Sequence, residues 1–177
     1  MIVALTGTPG VGKSRVADIL SDKGYSVKSV SELAERYNTI IGEEMGARII
    51  DTDTLSSKID RSGFYILEGH LSHHLDPDMV VVLRCNPKIL KKRLGSKGWS
   101  EEKVLENLEA EITDTILMEA LSHKNVYEID ASHKNAEEVA EIIIKIINEG
   151  SEDFEPGNID WILEIGDDLG GLIRKHF

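Results

Sequence analysis

The sequence predicts an α/β fold, in which a doubly wound, five-stranded parallel sheet carries helices on both faces. Three observations predict it. Apolar runs typical of strands alternate with helical patterns along the first 150 residues, as right-handed β–α–β crossovers require. The runs at 64–67 and 79–83 are almost continuously apolar, which is typical of strands buried on both faces. A glycine-rich loop also separates the first apolar run from the first helical pattern.

The individual elements follow in order along the chain. Strands are predicted at residues 2–6, 25–30, 64–67, 79–83 and 126–129. Helices are predicted from residue 13 to the stop at Gly24, and then at 30–37, 51–61, 87–94, 100–122 and 136–149. Ser29, Asn86 and Asn135 are typical N-cap residues for three of these helices. Residues 39–50 show no clear period, so no element is predicted there.

Length and composition limit the class of protein. A chain of 177 residues predicts about one domain, and 41% hydrophobic residues suit a packed core. Cys85 is the single cysteine, so no internal disulfide can form and a reducing compartment is expected. The apolar start at 1–5 has no basic flank and is too short for a signal peptide, and no apolar run is long enough to span a membrane. We therefore expect a cytoplasmic protein, or a nuclear one if the source is eukaryotic.

The charge is distributed unevenly. The formal net charge is -12, yet residues 1–99 hold 14 basic and 12 acidic residues, whereas residues 100–177 hold 6 basic and 20 acidic residues. The acidic half would repel phosphates, so direct binding of duplex nucleic acid is not expected. This half could be a solvated surface that maintains solubility, or it could attract a basic partner.

The chain is expected to have two parts. Residues 150–158 are rich in Gly, Ser, Asp, Glu and Pro and read as a linker. They separate a core at 1–150 from an acidic C-terminal tail at 151–177. Apolar residues at 159, 162, 163, 169, 172 and 173 predict that the tail forms a helix, although its glycines weaken that prediction.

One motif carries a specific chemistry. Residues 7–14, Gly-Thr-Pro-Gly-Val-Gly-Lys-Ser, match the pattern G-x-x-x-x-G-K-[ST] between the first strand and the first helix. Glycines let several backbone N–H groups face one phosphate, and the helix N-terminus adds positive potential. Lys13 would reach the β- and γ-phosphates, and the Ser14 hydroxyl would bind Mg²⁺. The predicted nucleotide-binding residues are Thr8, Gly10, Val11, Gly12, Lys13, Ser14 and Arg15.

A carboxylate for Mg²⁺ is expected at the carboxyl end of another strand. Glu68 follows the apolar run 64–67 and fits this position. His70 lies two residues further on and could orient a water or move a proton, or it could be an ordinary loop histidine. Because His70, His73 and His74 lack a cysteine partner and a regular ligand spacing, the sequence disfavours a zinc site.

Basic residues gather at two other places. Arg93 and Lys97 flank a glycine-rich break after the helix at 87–94, where they could close over a nucleotide as a lid, or simply cover a solvated helix face. Arg36 and Arg48 flank the irregular stretch 39–50 and could grip a second phosphate, or equally be surface residues. The tetrad 60–63 resembles a GTPase string but precedes its strand, so a GTPase is not expected.

These motifs resemble a known family. The string Leu5–Ser14, together with Lys92-Arg93-Leu94 and Lys97-Gly98-Trp99, resembles the atypical adenylate kinases that also act as small-ribosomal-subunit assembly ATPases, the coilin-interacting nuclear ATPase type with archaeal members. Residues 31–34, 82–84, 102–107 and 111–112 match as well. The resemblance covers residues 1–148 and implies a P-loop nucleoside-monophosphate-kinase fold, with a monophosphate-binding segment at 29–51 and a lid at 96–106.

The sequence departs from the family pattern at three positions. Glu68-Gly69-His70 stands where the family has D-x-H, so the acid reaches one methylene further. Lys97 replaces the usual lid arginine and loses its fork geometry. Arg36 follows Glu35, and this shift changes the position of the arginine that the family uses for the monophosphate.

Three functions are compatible with the sequence. The resemblance implies transfer of the ATP γ-phosphoryl group to AMP with Mg²⁺, with Lys13, Glu68, His70, Arg93 and Lys97 as the catalytic residues. It also implies an ATPase that assists assembly of the pre-ribosomal small subunit by binding a basic small-subunit ribosomal protein. A kinase acting on another small metabolite is a third possibility, because the phosphate-loop motif does not select the acceptor.

Overall fold

The computed structural model describes residues 1–44 and 46–174. Five strands, β1, β2, β5, β6 and β7, form the main sheet, at Ile2–Thr6, Val27–Ser29, Tyr65–Glu68, Met79–Arg84 and Val126–Asp130. Two further strands, β3 and β4, form a separate pair at Ile40–Glu44 and Ala47–Ile50. The helices α1 to α8 span Lys13–Asp22, Val30–Arg36, Thr52–Lys58, Pro87–Gly95, Glu101–Ile112, Thr115–Ala120, Ala136–Glu149 and Trp161–Ile165.

The main sheet is parallel throughout, with the strand order β2-β5-β1-β6-β7. The central strand β1 is buried along its whole length. Val3 and Leu5 pack on one face with α1, α4, α5 and α7, whereas Ile2 and Ala4 pack on the other face with α2, α3 and α6. Alternate side chains of one strand therefore secure helices on both faces, as predicted, at about 1.5–3 kcal/mol for each large apolar side chain fully buried.

Local signals fix where the helices begin. Ser29, Asp51 and Asn86 each accept a hydrogen bond from a backbone N–H in the first turn of the following helix. Asn135 and Glu138 form a reciprocal capping box at the start of α7. The helix starts predicted from the sequence are confirmed at these positions.

Two predictions of secondary structure within residues 1–150 are wrong. Residues 39–50 are not irregular but contain the antiparallel pair β3–β4. The helix predicted at 100–122 is two helices, α5 and α6, because Asp114 between them adopts a left-handed backbone with φ of 56°. In that position the Asp114 carboxylate accepts from Arg84, which also donates to the carbonyl of Glu111 at 2.9 Å. A tertiary ion pair therefore lies at the junction of α5 and α6.

The tail is not one helix. Short 3₁₀ turns at Glu152–Phe154 and Gly166–Gly171 flank the five-residue helix α8. Trp161, Ile165 and Leu172 are buried in the same apolar cluster as the sheet, so the described part of the tail packs on the core. The final residues of the predicted tail, 175–177, lie outside the described residues. Within the described chain, no helix has the length and apolarity needed to cross a membrane.

Candidate active site

The phosphate-binding motif forms the loop between β1 and α1. Gly7 and Gly10 have φ of 135° and 94°, in the region that favours glycine. A Cβ on Gly7 would lie 2.3 Å from the carbonyl oxygen of Leu83, and one on Gly10 would lie 2.7 Å from the Leu94 side chain. The loop passes so close to β6 and α4 that larger residues at these two positions would displace it.

Lys13 begins α1, and its side chain folds back into the loop. Its Nζ donates to the carbonyl oxygens of Gly7 at 2.6 Å and Thr8 at 3.1 Å. Burial lowers the pKa of Lys13 to about 8, although the carboxylates of Glu68 and Glu111 act in the opposite direction. The ammonium is thus held by main-chain oxygens at the position where a phosphate would compete for it.

The two predicted Mg²⁺ ligands lie together. Ser14 Oγ donates to Glu68 Oε1 at 3.1 Å. The sheet produces this contact, because β1 and β5 are neighbours and Leu5 is in register with Glu68. Mg²⁺ prefers oxygen ligands and usually retains several waters, so a hydroxyl and a carboxylate at the edge of an open site suit it.

His70 lies at the mouth of the same site. Its side chain is exposed, and its carbonyl oxygen accepts from the hydroxyl of Thr6 at 3.2 Å. Desolvation lowers the pKa of His70, and the positive charges of Lys13 and His74 add to this effect. The lowered pKa favours the neutral ring, which is the form that can accept a proton.

A cavity of about 410 Å³ opens on the other side of the loop. Arg15 and Arg93 contribute to its lining, together with Gly10, Val11, Gly12, Val16, Ala131, Lys134, Asn135, Ala136 and Val139. Arg93 donates to the carbonyls of Val11 at 3.1 Å and Ser132 at 3.3 Å, so it joins the phosphate loop to the loop after β7. The cavity continues outward from the phosphate loop and is large enough to admit part of a nucleotide.

Only part of the predicted lid, residues 96–106, is a loop. Residues 96–100 connect α4 to α5, and residues 101–106 are already helical. Lys97 lies near enough to Lys13 to lower the pKa of that residue, and its Nζ is 5.3 Å from the centroid of the Trp99 ring. The structure therefore places Lys97 toward the phosphate loop.

The two candidate arginines for a second phosphate lie on the surface at α2 and β4. Arg48 forms an ion pair with Glu35. Arg36 stands 5.8 Å from the centroid of the Tyr37 ring. Glu35 and its partner Arg48 thus join α2 to the β3–β4 pair, which together occupy the predicted monophosphate-binding segment 29–51.

A buried group centred on Glu111, which was not identified from the sequence, is hydrogen-bonded to the phosphate loop. Glu111 on α5 is buried, and its carboxylate accepts from four donors: Thr8 Oγ1, Arg84 Nε, the Cys85 amide and Trp161 Nε1. Thr8 was predicted to contact nucleotide, but its hydroxyl is directed to Glu111, which leaves only its backbone for a ligand. A signal was present, because Glu111 continues the apolar spacing of Val104 and Leu108 on α5.

Arg84 extends this buried group to the tail. It forms ion pairs with Glu111, Asp114 and Glu128, and its guanidinium carbon lies 5.9 Å from the centroid of the Trp161 ring. Glu128 also accepts from the Gly157 amide at 2.9 Å. These carboxylates raise the pKa of Arg84 despite the opposing effect of desolvation, so the cation persists in the interior.

Comparisons with known proteins show the family and the fold of the chain. A family model described as an AAA domain matches residues 3–114. A protein of Archaeoglobus fulgidus named "Putative adenylate kinase" is 51% identical over 99% of both chains, and one of Methanocaldococcus jannaschii with the same name is 41% identical over 91% of this chain and 93% of its own. Shikimate kinase from Acinetobacter baumannii superposes with a TM-score of 0.57 at 18% identity, over 85% of this chain and 94% of that one, which shows a shared fold.

Proposed function

This chain belongs to the AAA-domain family of P-loop kinases that includes these archaeal relatives, and from that premise we propose that it transfers the γ-phosphoryl group of ATP to AMP. The reaction converts ATP and AMP into two molecules of ADP. The observation that carries the proposal is the convergence of Lys13, Ser14 and Glu68 on one open edge of the sheet. Phosphoryl transfer needs little covalent help from a protein, so positioning and charge stabilisation at such an edge account for most of the catalysis.

Each residue at this edge has a distinct role in the proposal. Lys13 would exchange its bonds to the loop carbonyls for bonds to the β- and γ-phosphates, and the phosphate charge would raise its lowered pKa again. Ser14 and Glu68 would hold Mg²⁺, which neutralises phosphate charge when bound. Direct and water-mediated contact of Glu68 with the ion are both compatible with the longer acid at this position. The glycine-rich backbone would supply N–H donors to the phosphates.

The lid and the cavity would hold the rest of the nucleotide. Arg15 and Arg93 line the cavity beside the loop, and Lys97 faces Lys13 from the connection between α4 and α5. A small movement of residues 96–100 would bring Lys97 onto the transferred group and exclude water. Arg93 would have to release the carbonyls of Val11 and Ser132 to contact a phosphate, so its present position supports a role in joining the two loops as well.

The acceptor would lie against the 29–51 segment. In this proposal Arg36 and Arg48 bind the AMP phosphate, and Arg48 would have to exchange Glu35 for that phosphate. A neutral His70 beside Glu68 is suited to orient a water, which gives slow ATP hydrolysis when AMP is absent.

The proposal is tested by the dependence of ADP formation on the acceptor. Purified protein is supplied with Mg²⁺ and ATP, alone or with AMP, GMP, CMP or UMP, and ADP is quantified by chromatography. We expect ADP formation to depend on AMP and to be lost in Lys13→Ala but retained in Lys124→Ala, a matched substitution of an exposed lysine outside the site. A rate that no monophosphate increases would overturn the kinase proposal.

A second candidate function is assistance in small-ribosomal-subunit biogenesis, and the charge distribution favours it. Asp114, Glu111 and Glu128 are paired internally with Arg84, so part of the acidity of residues 100–177 is structural. The remaining acids include exposed side chains on α5, α7 and the tail, at Glu101, Glu102, Glu106, Glu138, Glu149, Glu152 and Glu155. Such a surface would attract a basic small-subunit ribosomal protein on the pre-ribosomal small subunit.

The two functions separate in one assay. ATP hydrolysis without AMP is measured with and without a purified basic small-subunit ribosomal protein. Stimulation that is reduced at higher salt, and in a variant with Glu149, Glu152 and Glu155 changed to Gln, would support the assembly role. Equal rates of ATP hydrolysis in all of these conditions would contradict the assembly role and would not affect the kinase proposal.

A further inference from the structure

A second cluster of ligand-type side chains lies outside the nucleotide site. His73 and His74 occupy a 3₁₀ turn after β5, and Glu119 faces them from α6. Glu119 Oε2 is 3.0 Å from His73 Nε2 and 3.6 Å from His74 Nε2. One donor atom from each of the three residues lies within 4.8 Å of the other two. His73 is buried, whereas His74 and Glu119 are open to solvent.

These separations suit a small divalent cation. In a tetrahedral zinc site, bonds of about 2.0–2.1 Å to imidazole and carboxylate place neighbouring donors roughly 3.3–3.5 Å apart. The distances from Glu119 to the two imidazoles fall on either side of that value. The donor atoms of His73 and His74 lie within 4.8 Å of each other, so side-chain rotation would bring the set to zinc-binding distances. Two imidazoles with one carboxylate favour Zn²⁺ over Mg²⁺, since Mg²⁺ is bound almost entirely by oxygen.

The orientation of His73 is fixed from behind, as in many metal-binding histidines. Its Nδ1 lies 3.0 Å from Thr6 Oγ1, and the same hydroxyl lies 3.2 Å from the carbonyl oxygen of His70. The hydroxyl has one proton. With a cation bound, the Thr6 hydroxyl would donate to the His70 carbonyl oxygen, Nδ1–H of His73 would donate to Thr6, and the Nε2 lone pair would be available to the ion. That tautomer is the one a cation at Nε2 needs, and a hydroxyl is a suitable outer partner for it.

We propose that His73, His74 and Glu119 bind Zn²⁺ with an open fourth position for water. The ion would connect α6 to the turn that follows β5, and through Thr6 it would be linked to the backbone at His70. The site shares no ligand with the Ser14–Glu68 pair, so Zn²⁺ binding is measured separately from the proposed kinase activity. The carboxylate comes from the second half of the predicted 100–122 helix, which explains why the histidines alone gave no regular zinc pattern in the sequence.

The proposal is tested by metal binding to the tag-free protein. Zn²⁺ is titrated against a chromophoric chelator, and Co²⁺ is added separately because tetrahedral Co²⁺ has a characteristic visible absorption. We expect one ion per chain, and a rise in Tm of roughly 5–10 °C when free Zn²⁺ exceeds its Kd about a hundredfold. His74→Ala and Glu119→Gln should each weaken binding by roughly tenfold or more. His133→Ala, at an exposed histidine outside the cluster, should bind as the wild type does.

Two results would overturn the proposal. One is equal Zn²⁺ affinity in the wild type, His74→Ala and Glu119→Gln proteins. The other is the absence of any competition with the chelator at micromolar Zn²⁺, in which case the His73–Glu119 contact is a hydrogen bond only. His74 and Glu119 are exposed side chains, so both variants should fold, and circular dichroism checks that they do.

Discussion

The two faces of the phosphate loop differ in how their polar groups are paired. On the open face, Lys13 and Ser14 satisfy their polar groups with the loop carbonyls and with Glu68, which are bonds that a phosphate or a cation can replace. On the buried face, Thr8 donates to Glu111, whose carboxylate also accepts from Arg84 and Trp161. One face holds exchangeable interactions, and the other holds a fully satisfied buried network.

We therefore expect the open face to bind ligand and the buried face to stabilise the fold. Groups that must bind a ligand should be easily released, whereas a buried network gains its value from having every donor and acceptor paired. Substitutions on the open face should therefore change activity with little effect on stability. Substitutions on the buried face should lower stability with little direct effect on the chemical step.

The largest effect is expected for Glu111→Ala. The substitution leaves Arg84 with a reduced set of partners in the interior and removes the acceptor of Thr8 and Trp161. Breaking a buried ion pair in this way costs about 3–5 kcal/mol in the free energy of unfolding. Urea denaturation measures the loss, and Glu106→Ala, at an exposed position on the same helix, should change the free energy by less than about 0.5 kcal/mol. An equal free energy of unfolding for the two variants would show that the buried network around Glu111 does not stabilise the fold.

Lys13→Ala is the matching test of the open face. We expect ADP formation to fall by roughly 10²–10³-fold, because a preorganised charge on the transferred phosphates is lost. The free energy of unfolding should not fall, since the folded protein holds this ammonium at a cost that lowers its pKa to about 8. Initial rates and urea denaturation measure the two quantities. A large decrease in the free energy of unfolding would mean that Lys13 also stabilises the fold.

The open face could be predicted from the sequence, and the buried face could not. The glycine pattern and Lys13-Ser14 specify a phosphate loop by local chemistry alone, and Glu68 follows from its place at a strand end. Glu111 and Arg84 are 27 residues apart in sequence, so only the packing of α5 against β6 shows that they meet. The same limit explains the errors at Asp114 and in the tail, where ion pairs and the burial of Trp161 override local helix signals.

The structure of residues 39–50 could not be predicted from the sequence for a different reason. The β3–β4 pair is short and mostly exposed, so it leaves no periodic apolar pattern to read. Its register changes between Ile40 and Gly42, which interrupts the alternation further. The resemblance implies a monophosphate-binding segment at 29–51, and that role stays a prediction.

Nucleotide binding should depend on pH through Lys13. Because its pKa in the free protein is about 8, raising the pH from 7 to 9 removes the charge that binds phosphate, and affinity for ATP should fall about tenfold. The pKa of the lysine rises again when phosphate binds, so binding near pH 8.5 should take up a proton. Isothermal titration in buffers of different ionisation enthalpy measures both effects. Lys13→Arg does not titrate in this range, so its affinity, whatever its value, should be constant between pH 7 and 9.

The smallest effect is expected for Trp161→Phe. The substitution keeps an aromatic ring beside Arg84 but removes the Nε1–H that donates to Glu111 at 3.0 Å. Loss of one donor among four should lower the free energy of unfolding by about 1 kcal/mol. Trp99→Phe serves as the control for stability, because that ring is half-exposed and contacts lysine side chains. A kcat for Trp161→Phe far below that of the wild type would show that the buried face also takes part in turnover.

The fate of the γ-phosphoryl group distinguishes transfer to AMP from hydrolysis in a single experiment. Protein, Mg²⁺ and ATP labelled in its γ-phosphate are incubated with and without AMP, and the labelled products are separated. The account predicts that with AMP the label appears in ADP, and that this transfer is lost in Lys13→Ala. Label found only in inorganic phosphate, at the same rate with and without AMP, would contradict it.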